Sequence, residues 1–302
     1  MYFFSIIVYF KNESSSILEW VLHYKNWGVD HIYMIDNGSE DDYDTIIEPF
    51  IKEGFITLWK EPNINQTWGY NKYMSILKKE TIWLGVFDMD EYLYTKKGKN
   101  IKTILKRFSP SLTLIMIQMK IFYPGTFQSP SSMIETNIEK KCNDNIHFPK
   151  CIFQIQKLPT VSIHGIREMK QYCRRKEYLI MNTESSILCI NHYRFSSFEY
   201  LYGIKEGRGG GVHKEKYKKI EIISEKEIQQ EPITDSYLKE HSKELIHFLK
   251  DKKENPNVEL YPNSSWNIVK KKHPILFQKF SSYSFLTKKE IFEINKYFNS
   301  IH

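Results

Sequence analysis

Hydrophobic and polar positions follow two rhythms over the first ninety residues. Phe3 to Phe10 (FFSIIVYF) is a β-branched and aromatic run that predicts a first strand. Asn12 or Ser14 is placed to cap a helix with an apolar face of Ile17, Leu18, Val21 and Leu22, ending at Gly28. His31 to Asp36 predicts a second strand, closed by the turn Asn37-Gly38-Ser39. Asp41 to Lys52 predicts a second helix, with acids in its first turn and Gly54 as its C-cap. Phe55 to Lys60 reads as a third strand. Gln66 to Lys79, carrying Trp68, Tyr73, Ile76 and Leu77, reads as a third helix. Ile82 to Phe87 is apolar or Gly throughout and predicts a strand buried on both faces. Such alternation predicts an α/β fold with a doubly wound, mostly parallel, right-handed sheet.

Beyond this point the pattern is less regular. Asn100 to Phe108 predicts a short helix and Leu112 to Ile121 a strand. Phe122 to Asn145, punctuated by Pro124, Gly125 and Pro130, reads as loop. Ile152 to Gln156, Thr160 to Ile163 and Ser186 to Asn191 read as strands. Ser197 to Lys205 reads as a helix that runs into Gly207-Arg208-Gly209-Gly210-Gly211. After Val212 the chain is rich in Lys and Glu, with a helix expected over Asp235 to Lys250. Asn255 to His302 gives no clear pattern. The expected organisation is a domain over 1–211 followed by a basic, mainly helical region over 212–302.

Composition narrows the function classes. The chain has 302 residues, 41% hydrophobic and 15% aromatic, enough for a real core. Its net charge of +7 is carried by Lys/Glu segments rather than a basic stripe. That argues against a nucleic-acid-binding protein and permits an anionic membrane surface or a phosphorylated substrate. No apolar run approaches the roughly 20 residues a spanning helix needs. The start lacks a basic n-region and a cleavage site. Cys142, Cys151, Cys173 and Cys189 form no CxxC pair and read as reduced, with a Cys142–Cys151 bridge as a minor alternative. A soluble cytoplasmic protein is expected, with a peripheral membrane, partner or oligomer contact as a role for the basic tail.

The chemistry concentrates where the fourth strand ends. Asp88, Asp90 and Glu91 arrive within four positions of Phe87. Charges cannot stay unpaired in a sheet interior, so they belong where the strand emerges, at the edge where open α/β sheets bind ligands. In extended backbone Asp88 and Asp90 leave on the same side. Two carboxylates aimed at one point repel unless a cation lies between them, and hard oxygen ligands suit Mg²⁺ or Mn²⁺. Lys11-Asn12-Glu13 follows the first strand, where it could line a nucleotide pocket with Tyr9 or Phe10 near the base. Asp36 ends the second strand, where a carboxylate accepts from a ribose hydroxyl or base N–H. Both segments also admit plain helix-cap and turn readings. Lys205 and Arg208 flank the glycine cluster, whose backbone N–H groups can approach phosphate closely, unless it is simply a linker.

Five segments then occur in a recognisable order. They are Lys11-Asn12-Glu13 with the following Glu19-Trp20; GVDHIYMIDNGSEDD; GFITLW; FDMDEYL; and NHY followed by SFEYLYGIKEGRG. Together they resemble glycosyltransferase family 92, within the wider set of family 2-like transferases. The resemblance covers roughly Phe3 to Gly211 and implies a GT-A fold, a nucleotide-sugar donor (often UDP-linked), a divalent metal and inversion at the anomeric carbon. It implies donor contacts at Tyr9, Lys11, Asn12, Glu13, Asp36, Asn37, Gln66, Tyr70, Asn71, Asp88, Met89, His192, Lys205 and Arg208. It implies metal ligation by Asp88, Asp90 and a late histidine, His164 or His192, of which it favours His164, with Asp90 also catalytic. His192 is expected on the diphosphate or orienting a neighbour. Inversion requires a general base for the acceptor hydroxyl. Glu135, Glu139, Asp144 and Glu168 are candidates, and the resemblance favours Glu135. The expected partners are a nucleotide-sugar donor and a glycan, lipid-linked or protein-linked hydroxyl acceptor. The rivals are another D-x-D nucleotide enzyme (a nucleotidyltransferase or, less well matched because position 92 is Tyr, a phosphatase) and a nucleic-acid-binding protein.

Overall fold

The computed structural model describes residues 1–98, 100–140, 149–161, 177–185, 187–194, 196–201, 222–223, 225–231, 233–254, 274, 278 and 286–301. They fall into two compact units. One comprises Met1–Lys120 and Asp144–His192, the other Ile121–Asn143 and Tyr193–His302. The expected boundary after Gly211 lies outside the described residues.

The first unit follows the alternation in the sequence. In order it contains β1 (Tyr2–Phe10), α1 (Ile17–Asn26), β2 (His31–Asp36), α2 (Tyr43–Lys52), β3 (Ile56–Lys60), α3 (Gln66–Lys72), α4 (Met74–Glu80), β4 (Thr81–Val86), β5 (Glu91–Tyr94), α5 (Ile101–Leu105), β6 (Leu114–Ile117) and β7 (Met119–Ile121). After α6 (Met133–Thr136) and β8 (Glu139–Lys140) of the second unit, it resumes with β9 (Lys150–Gln154), β10 (Tyr178–Met181) and β11 (Cys189–His192). Its main sheet has seven strands in the order β10-β6-β9-β4-β1-β2-β3. β4, β1, β2 and β3 are mutually parallel, while β9 runs antiparallel to both β4 and β6. A smaller sheet is ordered β5-β11-β7.

The core explains why the sheet is wound on both faces. Ile7, Tyr33, Ile35, Leu84 and Val86 share a buried cluster with Tyr70, Met74 and Leu77 from the α3–α4 segment. The alternate residues Ile6, Val8, Ile32 and Met34 point to the opposite face and are equally buried, so that face is covered too. Each such side chain contributes on the order of 1.5–3 kcal/mol by leaving water.

Several local expectations are corrected. Gln66 to Lys79 is two helices, not one, because Tyr73 leaves the helical region at φ −100°, ψ 9°. Ser16, not Asn12 or Ser14, is the N-cap residue of α1. Leu112 to Ile121 is divided between two sheets at Gln118. The loop over Phe122 to Asn145 contains α6 and the two-residue strand β8. Asp235 to Lys250 is interrupted, giving Tyr237–Glu240 and Lys243–Glu254. Thr160 and Val161 are not strand, and Ser186 to Asn191 narrows to Cys189–His192. Of the helix expected over Ser197 to Lys205, Phe198–Tyr200 is described.

The second unit has its own core, including Tyr123, Phe127, Phe198, Leu201, Ile223, Leu286 and Ile291. Gly125 is tightly enclosed there, since a Cβ would stand 2.1 Å from the Thr136 carbonyl oxygen. Among the described residues no helix is long and apolar enough to cross a membrane.

His23 on α1 gives the first unit an acid-sensitive point. Its Nε2 donates to the Leu93 carbonyl at 2.8 Å, Nδ1 is buried without a partner, and burial lowers its pKa to about 3. The native state therefore refuses a proton that the unfolded chain accepts near pH 6.5. Stability is retained above that pH and lost as pH falls towards 3. Thermal melts should show a smaller loss over this range for His23→Gln than for the wild type. Equal losses would show that other groups carry the acid sensitivity.

Candidate active site

Parallel pairing gathers the expected motifs at one sheet edge. Phe10 pairs with Asp36 and Ile7 with Val86, so the segments after β1, β2 and β4 emerge side by side. Asn12 ties two of them together: its N–H donates to Ser39 Oγ (2.9 Å) and its Oδ1 accepts from Glu40 N–H (2.8 Å). It does so with φ at 56°, a left-handed conformation that Asn tolerates better than most residues. Asp36 is buried, accepting from Ser39 N–H and the Tyr43 hydroxyl. Nearby, Asn37 Oδ1 and Asp41 Oδ1 are buried without hydrogen-bond partners. Burial raises the Asp41 pKa, partly countered by hydrogen bonds from Ser14. Unsatisfied buried acceptors are costly, which makes these two candidate ligand contacts.

The D-x-D segment is not extended, as its spacing had suggested. Asp88 to Glu91 forms a turn closed by Glu91 N–H donating to the Asp88 carbonyl at 3.1 Å. Trp20 Nε1 from α1 donates to the carbonyls of Asp88 (3.0 Å) and Glu91 (3.1 Å). The Tyr24 hydroxyl donates to the Glu91 carbonyl and accepts from Leu93 N–H. The turn sends the two aspartates to different partners. Asp88 Oδ1 accepts from Gln66 Nε2 at 3.0 Å, and Oδ2 pairs with Lys150 Nζ at 2.7 Å. Asp90 Oδ1 lies 3.4 Å from His192 Nε2.

Lys150 is the residue of this cluster that sequence reasoning missed. Because β9 runs antiparallel to β4, with Cys151 opposite Val86, the first residue of β9 stands just past the end of β4, beside the turn that follows it. Its side chain is 0% exposed, and Nζ also lies 3.2 Å from Glu91 Oε1. A lysine opening a strand whose next three residues are apolar was the available signal, since a buried ammonium must have an anionic partner.

The electrostatics follow from this placement. Burial pushes Asp88 up, but the adjacent ammonium more than reverses this and holds it below the usual carboxylate range. Burial lowers the lysine, yet Asp88 and Glu91 raise it well above its ordinary value. Glu91 has an elevated pKa, from burial first and then repulsion by Asp88 and Asp90, despite the lysine.

The other expected residues are placed as follows. Gln66 Nε2 also donates to the Tyr70 hydroxyl at 2.9 Å, and both residues are buried. Asn71 braces the backbone at Val161, donating to its carbonyl and accepting from its N–H. The Tyr9 hydroxyl donates to the Ile64 carbonyl, and burial followed by Asp36 pushes it up to about 12. Glu13 is buried and accepts from Ser16 Oγ, and Met89 is buried in the turn. Lys11 is partly buried at the end of β1. Glu135 belongs to the second unit, where its carboxylate accepts from Lys250 Nζ at 2.7 Å. His164, Lys205 and Arg208 lie outside the described residues, as do Asp144 and Glu168.

Asp90, Glu91 and His192 offer ligand atoms all within 4.8 Å of one another. Two carboxylates and an imidazole fit a divalent ion such as Mn²⁺. His192 is brought there because β11 is antiparallel to β5, with His192 opposite Glu91.

The family model of glycosyltransferase family 92 matches residues 4–251. The chain belongs to glycosyltransferase family 92. The match extends past Gly211 to Asp251, in the Lys243–Glu254 helix. A family 92 protein from Ricinus communis is 25% identical over 194 residues, covering 63% of this chain and 35% of the relative. One from Oryza sativa subsp. japonica is 19% identical over 203 residues, covering 66% and 34% respectively. The chain thus spans about a third of the length of the curated relatives it matches. Among solved structures, S. aureus TarS 1-349 in complex with UDP aligns at 13% identity and TM-score 0.43, covering 63% of this chain and 60% of that one.

Tyr24→Phe tests the brace beneath the turn. Losing both hydroxyl bonds in a buried setting should cost about 1–3 kcal/mol. Chemical denaturation should register that loss, and unchanged stability would remove Tyr24 from the support of the turn.

Proposed function

We propose that this chain transfers a sugar from a nucleotide donor, UDP-linked, to a hydroxyl acceptor on a glycan, lipid or protein, with inversion and with a divalent ion, Mn²⁺ or Mg²⁺. Family membership supports the reaction class. The observation that carries the site is the Asp90–His192 pair beside Glu91, at the carboxyl edge of a mainly parallel sheet.

Asp90, Glu91 and His192 would hold the ion, which when bound supplies Lewis-acid neutralisation of charge on the departing nucleotide. Buried His192 Nδ1, which has no hydrogen-bond partner, leaves that imidazole a nitrogen without a fixed proton acceptor. Asp36, Asn37 and Asp41 supply acceptors for the nucleoside at the end of β2 and in the loop that follows it. Asp88, fixed by Gln66 and Lys150, presents a rigid, part-exposed carboxylate edge to donor hydroxyls. Lys205 and Arg208 are the proposed diphosphate clamp. The acceptor's proton is assigned to Glu135, and Glu135→Gln should block transfer while leaving UDP binding in place.

The test is UDP release from a panel of UDP-sugars in Mn²⁺, with and without EDTA. Asp90→Asn should lower turnover on the order of a hundredfold or more, as loss of a group stabilising transition-state charge does. EDTA should do the same to the wild type. Wild-type turnover by Asp90→Asn, or in EDTA, would sink the metal-assisted reading.

A further inference from the structure

The second unit contains a pocket of about 190 Å³. That is several times the ~30 Å³ of a water molecule in the liquid and less than the roughly 300 Å³ at which drug-sized sites begin. It suits one ring rather than an extended ligand. Its walls are mostly apolar, from Tyr123, Pro124, Ile138, Leu286 and Ile291. Glu139 also lines it, and its Oε2 is buried with no hydrogen-bond partner among the described residues. An orphaned buried acceptor is costly unless a ligand supplies the donor.

The backbone around the pocket is braced. Glu139 lies in β8, which pairs with the strand Ile233–Thr234, and its carbonyl accepts from Tyr123 N–H at 2.9 Å. Gly125 N–H donates to Asn137 Oδ1 and the Gly125 carbonyl accepts from Leu286 N–H, both at 2.9 Å. Such bracing keeps a site in shape before its ligand arrives.

Charge narrows the ligand. Lys288 is buried, with Nζ donating to the Gln230 carbonyl at 3.4 Å and lying 5.6 Å from the centre of the Tyr123 ring. Burial raises the Glu139 pKa, and the Lys288 charge partly opposes this. A cationic ligand would meet that ammonium, and an anionic one the carboxylate. A wholly apolar ligand would leave Oε2 unsatisfied. A neutral ring with C–H groups on its faces and hydroxyls at its edge suits both the walls and the carboxylate.

We propose that this pocket binds one neutral sugar ring of the acceptor, with a ring hydroxyl donating to Glu139. Thr136 lines the pocket and directly follows Glu135, the residue assigned to the acceptor's proton, in α6. The assignment of the ring to the acceptor rests on the transfer reading above, whereas the pocket stands on its own geometry.

The experiment screens methyl glycosides of common hexoses and N-acetylhexosamines against the full chain, without donor, by saturation-transfer NMR. UDP release from UDP-sugars in Mn²⁺ is followed alongside. At least one glycoside should bind, and benzylamine, a cation of similar size, should not. Glu139→Leu should weaken glycoside binding by about tenfold or more, as loss of a hydrogen bond to a charged group does. Glu139→Gln, which keeps an acceptor oxygen, should weaken it less. Ile138→Trp, filling the pocket from a part-exposed wall position, should abolish it. Thermal melts report folding, and should Glu139→Leu not fold, the other two variants decide. A folded wild type that binds no glycoside, or prefers benzylamine, overturns the proposal. So does glycoside binding that the folded variants leave unchanged. In either case continued UDP release would leave the transfer reading standing. Glycoside binding through Glu139 without UDP release from any donor would instead overturn the transfer reading and, with it, the acceptor assignment.

Discussion

Packing three carboxylates within four residues of a buried strand end is the constraint on which this site depends. Asp88, Asp90 and Glu91 follow β4, whose last residues are inaccessible to water. Such a concentration of acid cannot persist at a sheet edge without positive charge, and the fold supplies it through Lys150. The lysine in turn needs β9 to run against β4, and the turn needs Trp20 and Tyr24 to hold its carbonyls. The electrostatics of the site are thus inseparable from sheet direction and from the packing of α1. A buried pair of this kind is weak evidence for extra stability, because desolvation offsets much of its attraction. Its better-supported consequence is specificity of arrangement, which gives the two aspartates distinct surroundings.

The neighbouring loops obey the same logic with hydrogen bonds in place of charge. Asn12 bridges the segments after β1 and β2, and Asp36 is locked by Ser39 and Tyr43. Within this braced frame Asn37 and Asp41 each keep a buried acceptor oxygen that no donor satisfies. Rigid support around unsatisfied polar atoms is how a protein holds a site ready for a ligand, with little reorganisation left to do.

How far the sequence could be read follows from which physical signals are local. The strands and helices to Phe87 were legible because each buries one face or both, and periodicity reports burial directly. The DMDE cluster was legible because acids cannot follow a core strand without purpose. The need for a cation was also legible, but its partial source was not. Lys150 lies 62 positions beyond Asp88, and its apolar surroundings say strand without saying direction. In a wholly parallel sheet Lys150 would have stood at the opposite edge. His192 was visible in the NHY motif, yet its pairing with Asp90 depends on the register of β11 against β5. The D-x-D spacing misled because alternation holds only for extended backbone, and these residues form a turn.

The central claim is that a divalent ion is held at Asp90 and His192, beside the buried pair of Asp88 and Lys150. Crystals of the full chain grown with Mn²⁺ and UDP, measured at the manganese absorption edge, address it most directly. An anomalous peak within coordination distance of Asp90 and His192, with Lys150 still paired to Asp88, is the predicted result. A peak bound to Asp88 with the lysine displaced would contradict the account.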